Sequence, residues 1–220
     1  MNKNFITTIM FLIVVFTISC NSSNTNINDL NSNQNQENNP TKYPIDVLNS
    51  NGENVRIYEK PKKMIILDSA AVEILFAIGQ GDKIVGTHSF VTHPEEAKQI
   101  SKVGDAFSIN LEKIIEQEPD LVYIFFDKFA EDLNKTQLKV LYIKTLENNF
   151  SNISNQILMW GKITGNKDSA IKLSEKFHNQ IENIKSKIDY QAKSPKIFID
   201  TTDLWTNGPN TLMGEVLELL

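Results

Sequence analysis

Two short apolar runs that do not alternate with polar residues constrain this chain more than any other feature. Lys63-Met-Ile-Ile-Leu67 and the core of Pro119-Asp-Leu-Val-Tyr-Ile-Phe-Phe126 are too short for core helices. Each reads as a strand covered on both faces. Ile84-Val-Gly-Thr-His88 and Val140-Leu-Tyr-Ile-Lys144 read as two further strands. Helix signals fall between them. Asp68 or Ser69 can cap a helix that buries Val72, Leu75, Phe76 and Ile78 and stops at Gly79-Gln-Gly81. Pro94 suits the first position of a short helix running to Gln99, and Ser108 or Asn110 can cap another. Strands alternating with helices predict an α/β fold with a parallel sheet and helices on both of its faces.

The flanks extend this plan. Tyr43-Pro-Ile-Asp-Val-Leu48 and Asn54-Val-Arg-Ile-Tyr58 alternate around an Asn-Gly pair, the signature of a hairpin. Downstream, Asn152–Thr164 sets Ile153, Ile157, Trp160 and Ile163 on one helix face. Asp168 to about Tyr190 spaces Ala170, Leu173, Phe177, Ile181, Ile184 and Ile188 by threes and fours. A helix of that length extends roughly 34 Å, enough to cross between two lobes. Lys196-Ile-Phe-Ile-Asp200 then reads as the first strand of a second α/β lobe, and 212–220 as its helix. One strand and one helix do not close a core. The expectation is a two-lobed chain whose second lobe is incomplete.

Composition excludes several classes. The net charge of −5 provides no basic field for nucleic acid. Arg56 is the only arginine, so guanidinium clamping of phosphate or carboxylate is almost absent. One cysteine, Cys20, allows no internal disulfide and no thiolate zinc site. His88 and His93 lie five residues apart without a carboxylate motif, and His178 falls on the long helix. They read as ordinary histidines, and no metal site is assigned. No GxSxG elbow, P-loop, HExxH or GxGxxG occurs, so the enzyme signatures are absent and no enzyme activity is expected.

The first residues read as an address. Lys3 precedes an apolar core, Phe5–Ile18, too short for a comfortable membrane span. It ends at Thr17-Ile-Ser-Cys20, which resembles a lipobox with threonine in place of the usual leucine. Asn21–Asn39 carries nine asparagines and only Ile27 and Leu30 as apolar residues, the composition of a solvated tether. The expected organisation is a signal peptide over 1–19 and a tether over 20–42 behind a lipidated Cys20. An N-terminal lobe over 43–165, an interlobe helix over 166–192 and the start of a second lobe over 193–220 follow.

The blocks carry a resemblance when taken in order. Pro61-Lys-Lys-Met-Ile-Ile-Leu67, Ala70-Ala-Val-Glu-Ile-Leu-Phe-Ala-Ile-Gly79 and Gly81-Asp-Lys-Ile-Val-Gly86 come first, then His93-Pro-Glu-Glu-Ala97 and Val103-Gly104. Asn110-Leu-Glu-Lys-Ile114, Pro119-Asp-Leu-Val122 and Trp205-Thr-Asn-Gly-Pro-Asn-Thr-Leu212 complete the series. Together they resemble the iron-chelate and cobalamin solute-binding proteins of ABC importers. The resemblance implies two α/β lobes joined by one long helix, with the ligand between them. It also implies an extracytoplasmic protein held at the cell membrane, with an ABC permease and ATPase as partners. The ligand would be a ferric chelate such as a siderophore, or a corrinoid, and no cofactor is called for. A lipid-anchored metal- or haem-binding protein outside transport, or a structural lipoprotein, is the alternative.

Site residues follow from the block positions. In the family a glutamate in the Asn-Leu-Glu block docks on the permease, which nominates Glu112, although a first-turn carboxylate also suits a helix dipole without any function. Ligands of open α/β sheets collect at the carboxyl ends of the strands. That nominates Asp68, Ser69, His88, Phe90, Phe107 and, from the second lobe, Trp205 as ligand contacts, with Asp105 beside them. Phe90 and Trp205 match positions where cobalamin binders place aromatic contacts, while ordinary core packing is the competing explanation for both. Haem binders tend to have a tyrosine after the Val-Gly pair, where Asp105 stands here, which argues against haem ligation from this loop. The expected cleft is aromatic and mildly acidic. It suits a corrinoid or a neutral-to-cationic ferric chelate better than a triply anionic catecholate complex.

Overall fold

The computed structural model describes residues 40–105, 107–145, 149–189, 196–198, 208 and 211–219. Strands β1 (Ile45–Leu48) and β2 (Asn54–Ile57) form the expected antiparallel hairpin, with Ile45 opposite Ile57 and Val47 opposite Val55. Its turn is tied to the main sheet. Tyr142 N donates to Asn49 Oδ1 at 2.7 Å, and Ser50 N donates to Tyr142 O at 2.9 Å. The turn thereby supplies partners to an edge strand that would otherwise present unpaired backbone groups.

The main sheet holds β3 (Met64–Ile66), β4 (Ile84–Thr87), β5 (Ser101–Lys102), β6 (Leu121–Ile124) and β7 (Val140–Tyr142). Their order is β5-β4-β3-β6-β7, and every neighbouring pair is parallel. The α-helices are α1 (Ser69–Ala77), α2 (Leu111–Glu116), α3 (Ala130–Asn134), α4 (Phe150–Thr164), α5 (Lys167–Lys185) and α6 (Leu212–Leu219), with single 3-10 turns at Gly81–Lys83, Glu95–Gln99 and Asp127–Phe129.

Alternate strand residues feed two cores, as the period of two requires. Met64, Ile66, Leu121 and Tyr123 pack with Val72 and Leu75 of α1, and with Ile157, Trp160 and Ile163 of α4. Ile65, Leu67, Val122 and Ile124 pack on the other face with Ile114 of α2, Phe129 and Leu133. Both faces are covered, which is why these runs carry no polar alternation. Helices α4 and α5 cross closely at Gly161, where an added Cβ would run into the Ala170 side chain. Ring contact between Tyr123 and Trp160, at 5.0 Å between centroids, fills the centre of that core.

Several elements differ from expectation. The sheet has five strands where four are legible in the sequence, because β5 is a two-residue edge strand formed only by pairing with β4. Helix α3 was also not foreseen. Helix α5 ends at Lys185, short of Tyr190, and spans about 28 Å. In the strand expected at 196–200, residues 196–198 are exposed and belong to no regular element. Cys20, the expected signal peptide, the expected tether up to residue 39 and Trp205 lie outside the described residues. Among the described residues no helix is long and apolar enough to cross a membrane.

Candidate functional site

The strand order reverses between β3 and β6, since the chain leaves β3 toward β4 on one side and β6 toward β7 on the other. The carboxyl ends of these strands form the crevice where open α/β sheets take ligands. Asp68 and Ser69 follow β3 there, His88–Phe90 follow β4, and 103–110 follow β5.

Asp68 is placed differently from its nomination. It is 6% exposed and caps α1, with Oδ1 accepting from Ala71 N at 2.8 Å and Oδ2 accepting from Thr145 Oγ1 at 2.8 Å. Both oxygens are engaged, so Asp68 holds the β3–α1 turn against the loop after β7 and adds no acidity to the cleft surface. Thr145 was missed, because nothing in its local sequence points to a partner 77 residues away.

Ser69 and His88 come together. His88 Nδ1 accepts from Phe90 N at 3.2 Å, and His88 Nε2 lies 3.3 Å from Ser69 Oγ. A nitrogen that accepts a backbone N–H holds no proton, so neutral His88 carries its hydrogen on Nε2 and donates to Ser69. In that tautomer it donates to the serine hydroxyl and does not accept its proton. Both nitrogens are engaged, so neither is open to a metal. His93 and His178 are exposed, and no cluster of three metal-ligating side chains occurs among the described residues.

Burial pushes the His88 pKa down, and Lys102 adds to this while Asp68 and Asp105 oppose it. Because the folded pKa lies below the unfolded one, the stability linked to neutral His88 is fully present above about pH 6.5. It is lost as pH falls through the folded value. Acid titration of folding stability should show this loss, and His88→Asn should flatten it. A slope unchanged by that substitution would assign it to other groups.

Phe90 and Phe107 are the exposed aromatics of the crevice, at 60% and 70% of their free surface. Neither is core packing. Phe107 stands on a built turn: Asp105 Oδ1 accepts from Phe107 N and Ser108 N, each at 2.7 Å. These N–H groups hold the Asp105 carboxyl below the usual carboxylate range. Lys128 Nζ donates to Phe107 O at 2.8 Å, and Ser89 N donates to Gly104 O at 2.9 Å, joining the two aromatic loops. Phe125 and Phe126, 6.3 Å apart at the end of β6, bring two half-buried rings that were read only as strand.

An open groove of about 730 Å³ beside these loops is lined by Ser89, Lys102, Asp105, Ser108 and Glu112. Its charge is mixed, with Lys102 and Lys113 against Asp105 and Glu112, and its lining includes neither Phe90 nor Phe107. Glu112 is exposed on the first turn of α2, after the Asn110 cap, and has no hydrogen bond or ion pair among the described residues. Arg56 is paired with Asp46 across the hairpin at 3.4 Å, so no guanidinium is among the residues that build these loops. Two further grooves, of about 570 and 550 Å³, lie against α4 and include none of the crevice loops' aromatics.

A parallel sheet with its loops gathered at a reversal of strand order is shared by many folds. A family model decides among them: that of the Periplasmic binding protein matches residues 64–220. The chain belongs to this family. Among the similar periplasmic binding proteins is the uncharacterized ABC transporter substrate-binding lipoprotein YvrC of Bacillus subtilis (strain 168). It is 31% identical over 188 residues, covering 81% of this chain and 60% of the relative. A vitamin B12-binding protein of Pectobacterium carotovorum subsp. carotovorum (strain PC1) is 25% identical over 171 residues, covering 74% of this chain and 60% of that protein. Among solved structures, a possible iron-binding (periplasmic solute-binding) protein from Staphylococcus epidermidis superposes with a TM-score of 0.63. It is 23% identical and covers 73% of this chain and 66% of its own. This chain spans about 60% of the length of these two curated periplasmic binding proteins.

Proposed function

We propose that this protein is the extracytoplasmic, lipid-anchored substrate-binding component of an ABC importer, capturing a corrinoid or a ferric chelate. The observation that supports it most is the pair of exposed rings, Phe90 and Phe107, held on loops hydrogen-bonded to each other at the carboxyl ends of β4 and β5, on one side of the strand-order reversal. Flat, solvent-facing rings on a rigid frame suit a large, weakly charged ligand, each adding on the order of 1 kcal/mol beyond burial. The relatives named for B12 binding and as an ABC transporter lipoprotein point the same way.

The test is titration of the intact protein with cyanocobalamin, a ferric hydroxamate and a ferric catecholate at two salt concentrations. The expected order is tighter binding of cobalamin or hydroxamate with little salt dependence. Tightest binding of the catecholate, weakening steeply with salt, would mean that lysines set the specificity. Binding of none would leave the structural-lipoprotein alternative. For the anchor, Cys20→Ala should move the protein from the membrane to the soluble fraction. Membrane retention without lipid mass on the mature N-terminus would overturn lipidation.

A further inference from the structure

We propose that Lys102 is the positioning residue of the Phe90 loop, its ammonium closing the base of that loop and setting where the ring stands in the cleft. This rests on the reading of Phe90 as a ligand contact. Lys102 ends β5, and Nζ donates to Thr87 Oγ1 at 2.9 Å, Ala97 O at 3.0 Å and Val91 O at 3.1 Å. An ammonium has three protons, and here each has an acceptor. None of the three is a carboxylate, so the group is arranged as a hub for neutral oxygens and not as an ion pair.

The acceptors define what the hub holds. Thr87 and Ala97 are fully buried and Val91 is 1% exposed, so each is fixed in the fold. Thr87 and Val91 bracket His88, Ser89 and Phe90. The ammonium bridges the two ends of this short loop, and its third bond ties in the turn at Glu95–Gln99. Within the bracket, Val91 N donates to His88 O and Phe90 N donates to His88 Nδ1, both at 3.2 Å. The backbone carrying Phe90 is thus set from below by Lys102 and from within by His88, while the ring stays in solvent. Burial draws the Lys102 pKa down. A charge kept in such a place without a counter-ion fits a geometric task better than surface solvation.

Lys102→Met keeps the stem and removes the donors. Amide exchange without ligand should then rise about tenfold or more over 88–97, with β3 and β6 unchanged, because charge-assisted bonds to buried acceptors are lost. Unchanged exchange over 88–97, or an equal rise across the sheet, would overturn the proposal. A double-mutant cycle with Phe90→Ala on cyanocobalamin or ferric hydroxamate affinity gives the second arm. If Lys102 acts through Phe90, the double variant binds no more weakly than Phe90→Ala alone. Additive losses would overturn the positioning role. Should the protein bind neither probe, the functional reading fails while the exchange arm still decides the hub. Should Lys102→Met not fold, Thr87→Val removes one acceptor and should raise exchange in the same segment more mildly. No local rise in that variant would overturn the proposal.

Discussion

If Glu112 docks on a permease as proposed, Glu112→Ala in the intact protein should lower ligand uptake by cells on the order of tenfold or more, while ligand affinity stays within a factor of about two or three. The size follows from losing a carboxylate that would meet a basic partner in a desolvated contact, typically about 2–5 kcal/mol. The selectivity follows from the fold. Glu112 is exposed and makes no contact that holds the lobe together among the described residues, while the α2 cap belongs to Asn110, whose Oδ1 accepts from Lys113 N at 2.9 Å. Glu112→Gln should lose most of the same uptake, since it keeps shape and removes charge. Equal loss of uptake and binding would place Glu112 in the cleft or the structure. Normal uptake would remove it from docking altogether.

Gly104→Ala should destabilise the protein and disable the Phe107 turn together. Gly104 has φ +151°, and an added Cβ would collide with Ser108 O and lie 2.7 Å from Ile109 Cα, both backbone atoms. No side-chain adjustment relieves that. Backbone strain and overpacking together should cost about 2–4 kcal/mol, a fall in Tm of roughly 4–16 °C. The turn cannot open without losing the Gly104–Ile109 bridge and the bond from Asp105 N to Ser108 O at 2.7 Å. Affinity for the preferred probe should fall at least as far as in Phe107→Ala. A variant with unchanged Tm would show that the turn has room elsewhere. One with lower Tm but normal affinity would take Phe107 out of the site.

The sheet was legible because its signals are local. Met64-Ile-Ile66 and Leu121–Ile124 had no polar alternation because both faces are buried, and Asp68 and Asn110 marked helix starts through their own capping chemistry. Strand β5 was not legible: Ser101-Lys102 has no apolar pattern, and a parallel edge strand exists only through the neighbour it pairs with. The crevice divides in the same way. Position after a strand suffices to nominate Ser69, His88, Phe90 and Phe107. It cannot tell a ring turned to solvent from one in the core, nor a carboxylate lining a cleft from one capping a helix.

By itself the sequence determined the α/β class, the family and the set of loops at the strand ends, since these depend on periodicity, caps and the order of blocks. Tertiary structure alone decided the roles inside those loops. Asp68 became a buried brace because Thr145 arrives from 77 residues away. Lys102 became a hub because Thr87, Val91 and Ala97 converge on one ammonium. Hydrogen bonds between residues distant in the chain leave no periodic trace in it, so they are written only where the fold brings the partners within 3 Å or so.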